Sequence, residues 1–159
     1  MKKRGIEGEP IDAGSMLRRM ERLAGGAAKG KSKREQDAQQ LVYDAWEADA
    51  DAACELLTEA TQLDPTNVDA WLGLLQWSTL PPEEQIVILR KLVAMGEQNL
   101  GKDFNEFKDH FWGIHETRPY MRARSLLAHV LVETGQWDEG VVEYEAMLEL
   151  NPNDNQGVR

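Results

Sequence analysis

The sequence predicts an all-α protein built of stacked antiparallel helical hairpins behind a basic, disordered N-terminal tail. Three observations carry this reading. From Glu35 onward apolar residues recur at helical spacing with no alternating strand pattern. Short turn signals separate the periodic runs, at Asp64-Pro65, Pro81-Pro82 and Gly135. Residues 1–34 carry ten Lys or Arg against four acids, a balance of +6, with the glycine-rich stretch LAGGAAKGKSKR and few large apolar groups. Such a segment cannot offset its ordering entropy by burial.

Within that tail, SMLRRMERL at 15–23 places Met16, Leu17, Met20 and Leu23 on one helical face with Ser15 positioned to cap the start. It is too short to be stable alone and is read as a fluctuating, solvated helix, with docking in a groove of this molecule or another as the alternative. The body, 35–154, then gives three units. In the first, 35–67, Leu41, Val42, Ala45 and Trp46 share a face, and Ala53, Leu56, Leu57, Ala60 and Leu63 form the second stripe. In the second, 68–101, Trp71, Leu74 and Leu75 precede the Pro81-Pro82 turn, and Ile86, Leu89 and Val93 follow it up to Gly101. In the third, 121–154, Met121, Leu127, Ala128 and Leu131 lead to Gly135, and a helix from Trp137 to Leu150 ends before NPND. Residues 102–120 are an insert between the second and third units, and 155–159 form the C-terminal end.

Bulk properties narrow the function classes. The net charge of −10 is concentrated in 35–159, where eight bases face twenty-four acids. That body repels nucleic acid and anionic membrane, so neither a specific nucleic-acid partner nor a membrane surface is expected of it. No apolar run approaches the ~20 residues of a membrane span. The single cysteine, Cys54, forms no internal disulfide, and the start lacks the apolar stretch of a signal peptide, so a cytoplasmic protein is expected.

The hairpins also repeat in register. Gly140-x3-Tyr144 precedes Pro152 at the same distance as Ala53-x3-Leu57 precedes Pro65. Leu127-Ala128-x2-Leu131 with Gly135, and Trp71-x2-Leu74, supply first-helix positions of the same unit. These residues resemble the ~34-residue tetratricopeptide repeat. The small residues Ala53 and Ala128 allow two helices to approach, and Leu57 and Tyr144 fill the space beside them. ETRPYMRAR and LNPNDNQGVR further resemble the end of a bacterial tetratricopeptide group labelled suppressor-of-tumorigenicity-7-like. The resemblance implies a short right-handed superhelix without catalysis, binding a partner protein or peptide in a concave groove lined by the first helix of each hairpin. On this sequence that groove comprises Trp46, Asp69, Leu72, Gln76, Arg122, Ser125, His129 and Val132. Two positions depart from the pattern: Asp37 and Arg124 stand where a large aromatic is usual.

The insert, KDFNEFKDHFWGIHETRPY, holds the chemistry-bearing candidates. Phe104, Phe107 and Phe111, with Trp112, predict an amphipathic helix from Asp103 to Trp112 that pins the insert down, broken by Gly113. Thr117 is expected to cap the next helix, with Pro119 in its first turn. His110, His115 and Glu116 lack the one-turn spacing of a helical metal site, and no phosphate loop or nucleophile motif is present. No metal, no cofactor and no enzymatic activity are expected. Arg118 and Arg122 lie one turn apart beside Tyr120. For Arg118 the favoured reading is that Glu116, Asp109 or Glu106 neutralises it and locks the insert, and the alternative is a ligand-reading edge formed with Tyr120. Arg122, with His129 and Gln76, is expected to read an acidic or carboxylate-bearing segment of a partner. Finally, Met147, Val141 and Leu148 need a cover if they face outward, which predicts a fragment of a longer protein or a homo-oligomer through the C-terminal hairpin, ahead of a fold-back of the 12–24 segment upon that end. A self-associating structural protomer is therefore the alternative function.

Overall fold

The computed structural model describes residues 12–24 and 33–158. The parts of the predicted tail at 1–11 and 25–32, and Arg159, lie outside the described residues. Every regular element described is helical: α1 (Ala13–Ala24), α2 (Lys33–Glu47), α3 (Ala50–Leu63), α4 (Val68–Gln76), α5 (Pro82–Leu100), α6 (Asp103–Glu106), α7 (Arg118–Glu133) and α8 (Trp137–Leu150), with 3-10 turns at Phe111–Gly113 and His115–Thr117. None of these helices is long and apolar enough to cross a membrane. The chain forms two compact units that divide between Pro81 and Pro82, so the expected middle repeat, 68–101, is shared out: α4 belongs to the first unit and α5 to the second.

In the first unit α2 and α3 pack as an antiparallel pair, and α4 lies against both. Their contact is made by the stripes that periodicity picks out: Ala38, Val42 and Ala45 of α2 and Ala53, Leu57 and Ala60 of α3 are buried. Leu57 seats on Gly73 of α4, where a β-carbon would come within 2.8 Å of both its methyls. The Asp49 carboxylate caps α3 by accepting from Ala52 N at 3.1 Å, and Asn67 caps α4 by accepting from Ala70 N at 2.9 Å. Trp71 is wholly buried, its indole N–H satisfied by the Pro65 carbonyl at 2.9 Å.

The short helix foreseen inside the tail is present as α1, and its apolar side is packed rather than solvated: Met16 and Met20 are buried. The side chain of Leu23 lies outside the described set. The Arg19 guanidinium reaches the Thr58 carbonyl and the Thr61 hydroxyl of α3, each at 3.5 Å. The cap is Asp12, not Ser15. Asp12 Oδ1 accepts from Ser15 N at 2.8 Å, and the Ser15 hydroxyl answers the Asp12 backbone, because Ser15 occupies the third helical position of a capping box.

In the second unit α5 packs on α7, and α7 on α8. Gly96 of α5 lets the Tyr120 backbone approach, and Gly140 of α8 does the same for Val132 of α7. The insert folds differently from the expected continuous helix. It is helical only over Asp103–Glu106; the Phe107 N–H closes on the Asp103 carbonyl and Asp109 adopts φ 76°, so the chain turns before Gly113 is reached. That turn delivers Phe111 edge-on to Phe104 at 5.0 Å and to Tyr120 at 5.8 Å, within a core of Leu100, Met121, Met147 and Leu150. The aromatic stripe is therefore core, as its spacing implied. Thr117 makes no side-chain cap; its hydroxyl is held by the Phe111 and Ile114 carbonyls and fastens the two 3-10 turns together. Beyond α8, Val158 returns to the same core.

Candidate functional site

The first-helix surface of the first unit is set by a side-chain bond. Asn67, at the head of α4, donates from Nδ2 to Gln39 Oε1 of α2 at 3.1 Å, so the α2 flank that carries Gln39 turns toward α4. Tyr43 and Trp46 follow Gln39 on that flank. Their rings lie 5.2 Å apart, tilted by 59°, and Trp46 is 55 % exposed. On α4, Gln76 is exposed and Leu72 half-buried, whereas Asp69 is 4 % exposed and is not presented at the surface. Asp69 lies in the first turn of α4, on its buried side, where a carboxylate also suits the positive helix end. Tyr43 was not among the expected groove residues; an aromatic three residues before Trp46 is the signal that could have found it.

In the second unit the buried row of α7 is Tyr120, Ala123, Leu127, Val130 and Leu131. The opposite side carries Arg118, Arg122, Ser125 and His129 at one-turn spacing. Arg122 and Ser125 are half-buried and His129 is exposed, with its Nε2 at 3.3 Å from Glu133 Oε1. Val132 does not join this row. Its Cγ2 faces Gly140, because α8 crosses there too closely to accommodate a β-carbon.

The alternative edge formed by Arg118 and Tyr120 is taken up internally. Arg118 Nε donates to the Trp112 carbonyl at 3.1 Å, and its guanidinium stands 5.7 Å from the Trp112 ring centroid. Trp112, rather than an acid of the insert, is therefore what holds Arg118 in place. Tyr120 is buried among Phe104 and Phe111. Burial raises its phenol above the usual value, against the lowering influence of Arg124. Arg124 itself bridges α7 to α8: Nε pairs with Glu143 Oε2 at 2.5 Å and Nη1 donates to the Tyr120 hydroxyl at 2.8 Å.

Two surfaces are thus distinguished. The α2–α4 surface supplies flat aromatic area with an amide beside it. On α7, Arg122, Ser125 and His129 share one side, Arg122 already engaged within the protein and His129 beside Glu133. Among the described residues no group of three or more His, Cys, Asp or Glu is arranged to hold a metal ion. Comparison with family models, with curated proteins and with solved structures gives no match.

Proposed function

We propose that this protein is a cytoplasmic adaptor of tetratricopeptide type, which binds a partner protein or peptide on the exposed sides of its first helices and performs no reaction itself. The observation that carries the reading is the Tyr43–Trp46 pair. A large aromatic that is 55 % exposed and set at a tilt against a second one forgoes burial that the fold could use. Rigid, amphipathic rings of this kind supply interface energy at low entropic cost. In the first unit the ligand surface is Tyr43, Trp46, Leu72 and Gln76; in the second it is Arg122, Ser125 and His129, with Arg122 engaging a carboxylate of the partner.

The test is selection of peptides from a displayed library against the full chain, followed by titration of the strongest binder. Trp46→Ala or Arg122→Glu is expected to weaken that binder by about tenfold or more, as truncation of an interface anchor does. Glu59→Lys, on the exposed side of α3, is expected to leave it unchanged. A library that yields no binder, or a binder indifferent to both surface variants, would contradict the reading.

A further inference from the structure

The outer side of α8 holds a second, independent surface. Met147, Gly140 and Leu150 turn inward and are buried, so Val141, Val142 and Trp137 cannot share their side of the helix. Trp137 is 62 % exposed and Val142 59 %, with Val141 exposed between them. By helical register Asp138, Glu145 and Glu149 form an acidic row down the middle of this side, with Trp137, Val141 and half-buried Leu148 along one edge and Val142 along the other. The acids of α8 divide cleanly. Glu139 pairs with Arg90 and Glu143 with Arg124, whereas Asp138, Glu145 and Glu149 have no ion-pair partner among the described residues.

We infer that this face docks a cationic amphipathic helix of a partner protein, one whose row of Lys or Arg lies between apolar residues. The acidic row from Asp138 to Glu149 runs about 16 Å along the helix, at a rise of about 1.5 Å per residue. Its spacing of two turns and then one is matched by another helix lying along it, where apolar edges meet apolar edges and each carboxylate meets a cation. Long basic side chains can cover Val141 and Trp137 with their methylene stems while their charged ends reach the carboxylates. A second copy of this chain fits poorly through the same face, because two α8 helices would set like carboxylates against each other.

The probes are two labelled helical peptides with the same leucine stripe, one otherwise of lysine and one of glutamate, titrated into the full chain by fluorescence anisotropy. The lysine peptide is expected to bind and the glutamate peptide not to. Asp138→Lys/Glu145→Lys/Glu149→Lys is expected to weaken the lysine peptide by about tenfold or more and to admit the glutamate peptide. The matched control, Asp51→Lys/Glu55→Lys/Glu59→Lys on α3, makes the same charge change on an exposed acidic row without flanking exposed large apolar groups. It is expected to stay within about twofold of the unaltered chain if the α8 face, rather than net charge, recruits the peptide. Equal losses from both triple variants, no binding of the lysine peptide, or a wild-type dimer dissolved by the α8 variant would each overturn the inference.

Discussion

Replacing Gly140 with alanine sets two opposing terms against each other where α7 crosses α8. In a helix interior alanine is favoured over glycine by about 1 kcal/mol. The added β-carbon, however, would stand 2.6 Å from Val132 Cγ2, 3.2 Å from the Ala128 carbonyl oxygen and 3.4 Å from Val132 N. Carbon atoms rest at about 3.5–4.0 Å, so roughly 1 Å must be opened. Val132 cannot yield cheaply, since a β-branched side chain in a helix has one strongly preferred rotamer. Nor can the Ala128 carbonyl, which is backbone. Overpacking of this kind costs about 1–3 kcal/mol, and a contact this short belongs in the upper part of that range. Gly140→Ala is therefore expected to destabilise by about 1–2 kcal/mol net. In a Val132→Ala background the methyl is gone, and the same change becomes neutral or stabilising by up to about 1 kcal/mol. Urea unfolding followed by far-ultraviolet circular dichroism on the four chains of this double-mutant cycle measures both numbers. A Gly140→Ala chain more stable than the parent, or an unchanged cost in the Val132→Ala background, would refute the close crossing of α7 and α8.

Three further outcomes are expected. Arg124→Ala removes the partner of Glu143 and the donor to the Tyr120 hydroxyl, and should cost about 2–3 kcal/mol in the same unfolding assay, whereas Arg124→Met/Glu143→Leu should recover most of it. Because Tyr120 has a folded-state pKa raised above its ordinary value of 10.0, its contribution to stability is present below pH 10.0 and is lost as pH rises through the folded-state value. Alkaline titration of tyrosinate absorbance in the intact protein and in Tyr120→Phe should show that one phenol ionises late, and Tyr120→Phe should flatten the alkaline loss of stability. Asp12→Ala removes the cap of α1 and should cost about 1 kcal/mol, read as faster amide exchange over 13–24 with α7 unaffected.

The helices of the body were legible because their apolar residues recur every three to four positions and because the sequence sets a proline or a glycine after α3, α4, α5, α7 and α8. Val42 and Ala45, Ala53 and Leu57, and Leu127 and Leu131 are buried where periodicity puts them. The elements that went astray depend on long-range partners that a local pattern does not contain. The insert helix stops early because Phe111 is recruited by Phe104 and Tyr120 and Asp109 takes a left-handed conformation, and only Asp109's tolerance of that region was visible beforehand. The packing of α1 followed the same logic: the Met16 and Met20 face was readable, its burial was not. Asp12 was a better cap than Ser15 by the three-residue spacing of a capping box, a signal that was present in the sequence.

The candidate site was legible in part, for a geometric reason. Helical periodicity tells roughly which side of its helix a residue takes, and Trp46, Gln76 and His129 are exposed. It does not tell how closely the next helix crosses, which is what turns Val132 toward Gly140. Arg124 shows the converse. A basic residue held largely out of solvent needs an acid nearby, and Glu143 on the facing helix supplies it. On α8, Trp137, Val141 and Val142 could not all have shared one stripe with Met147 and Leu150, which is a sequence-level sign of a second surface.

The most direct test of the central claim is to map a selected peptide ligand on the isotopically labelled full chain by amide chemical-shift perturbation. The adaptor account predicts that the largest changes fall around Tyr43, Trp46, Leu72 and Gln76, or around Arg122, Ser125 and His129, and that Trp46→Ala or Arg122→Glu abolishes them. Changes confined to the exposed side of α3, or indifferent to both substitutions, would contradict it.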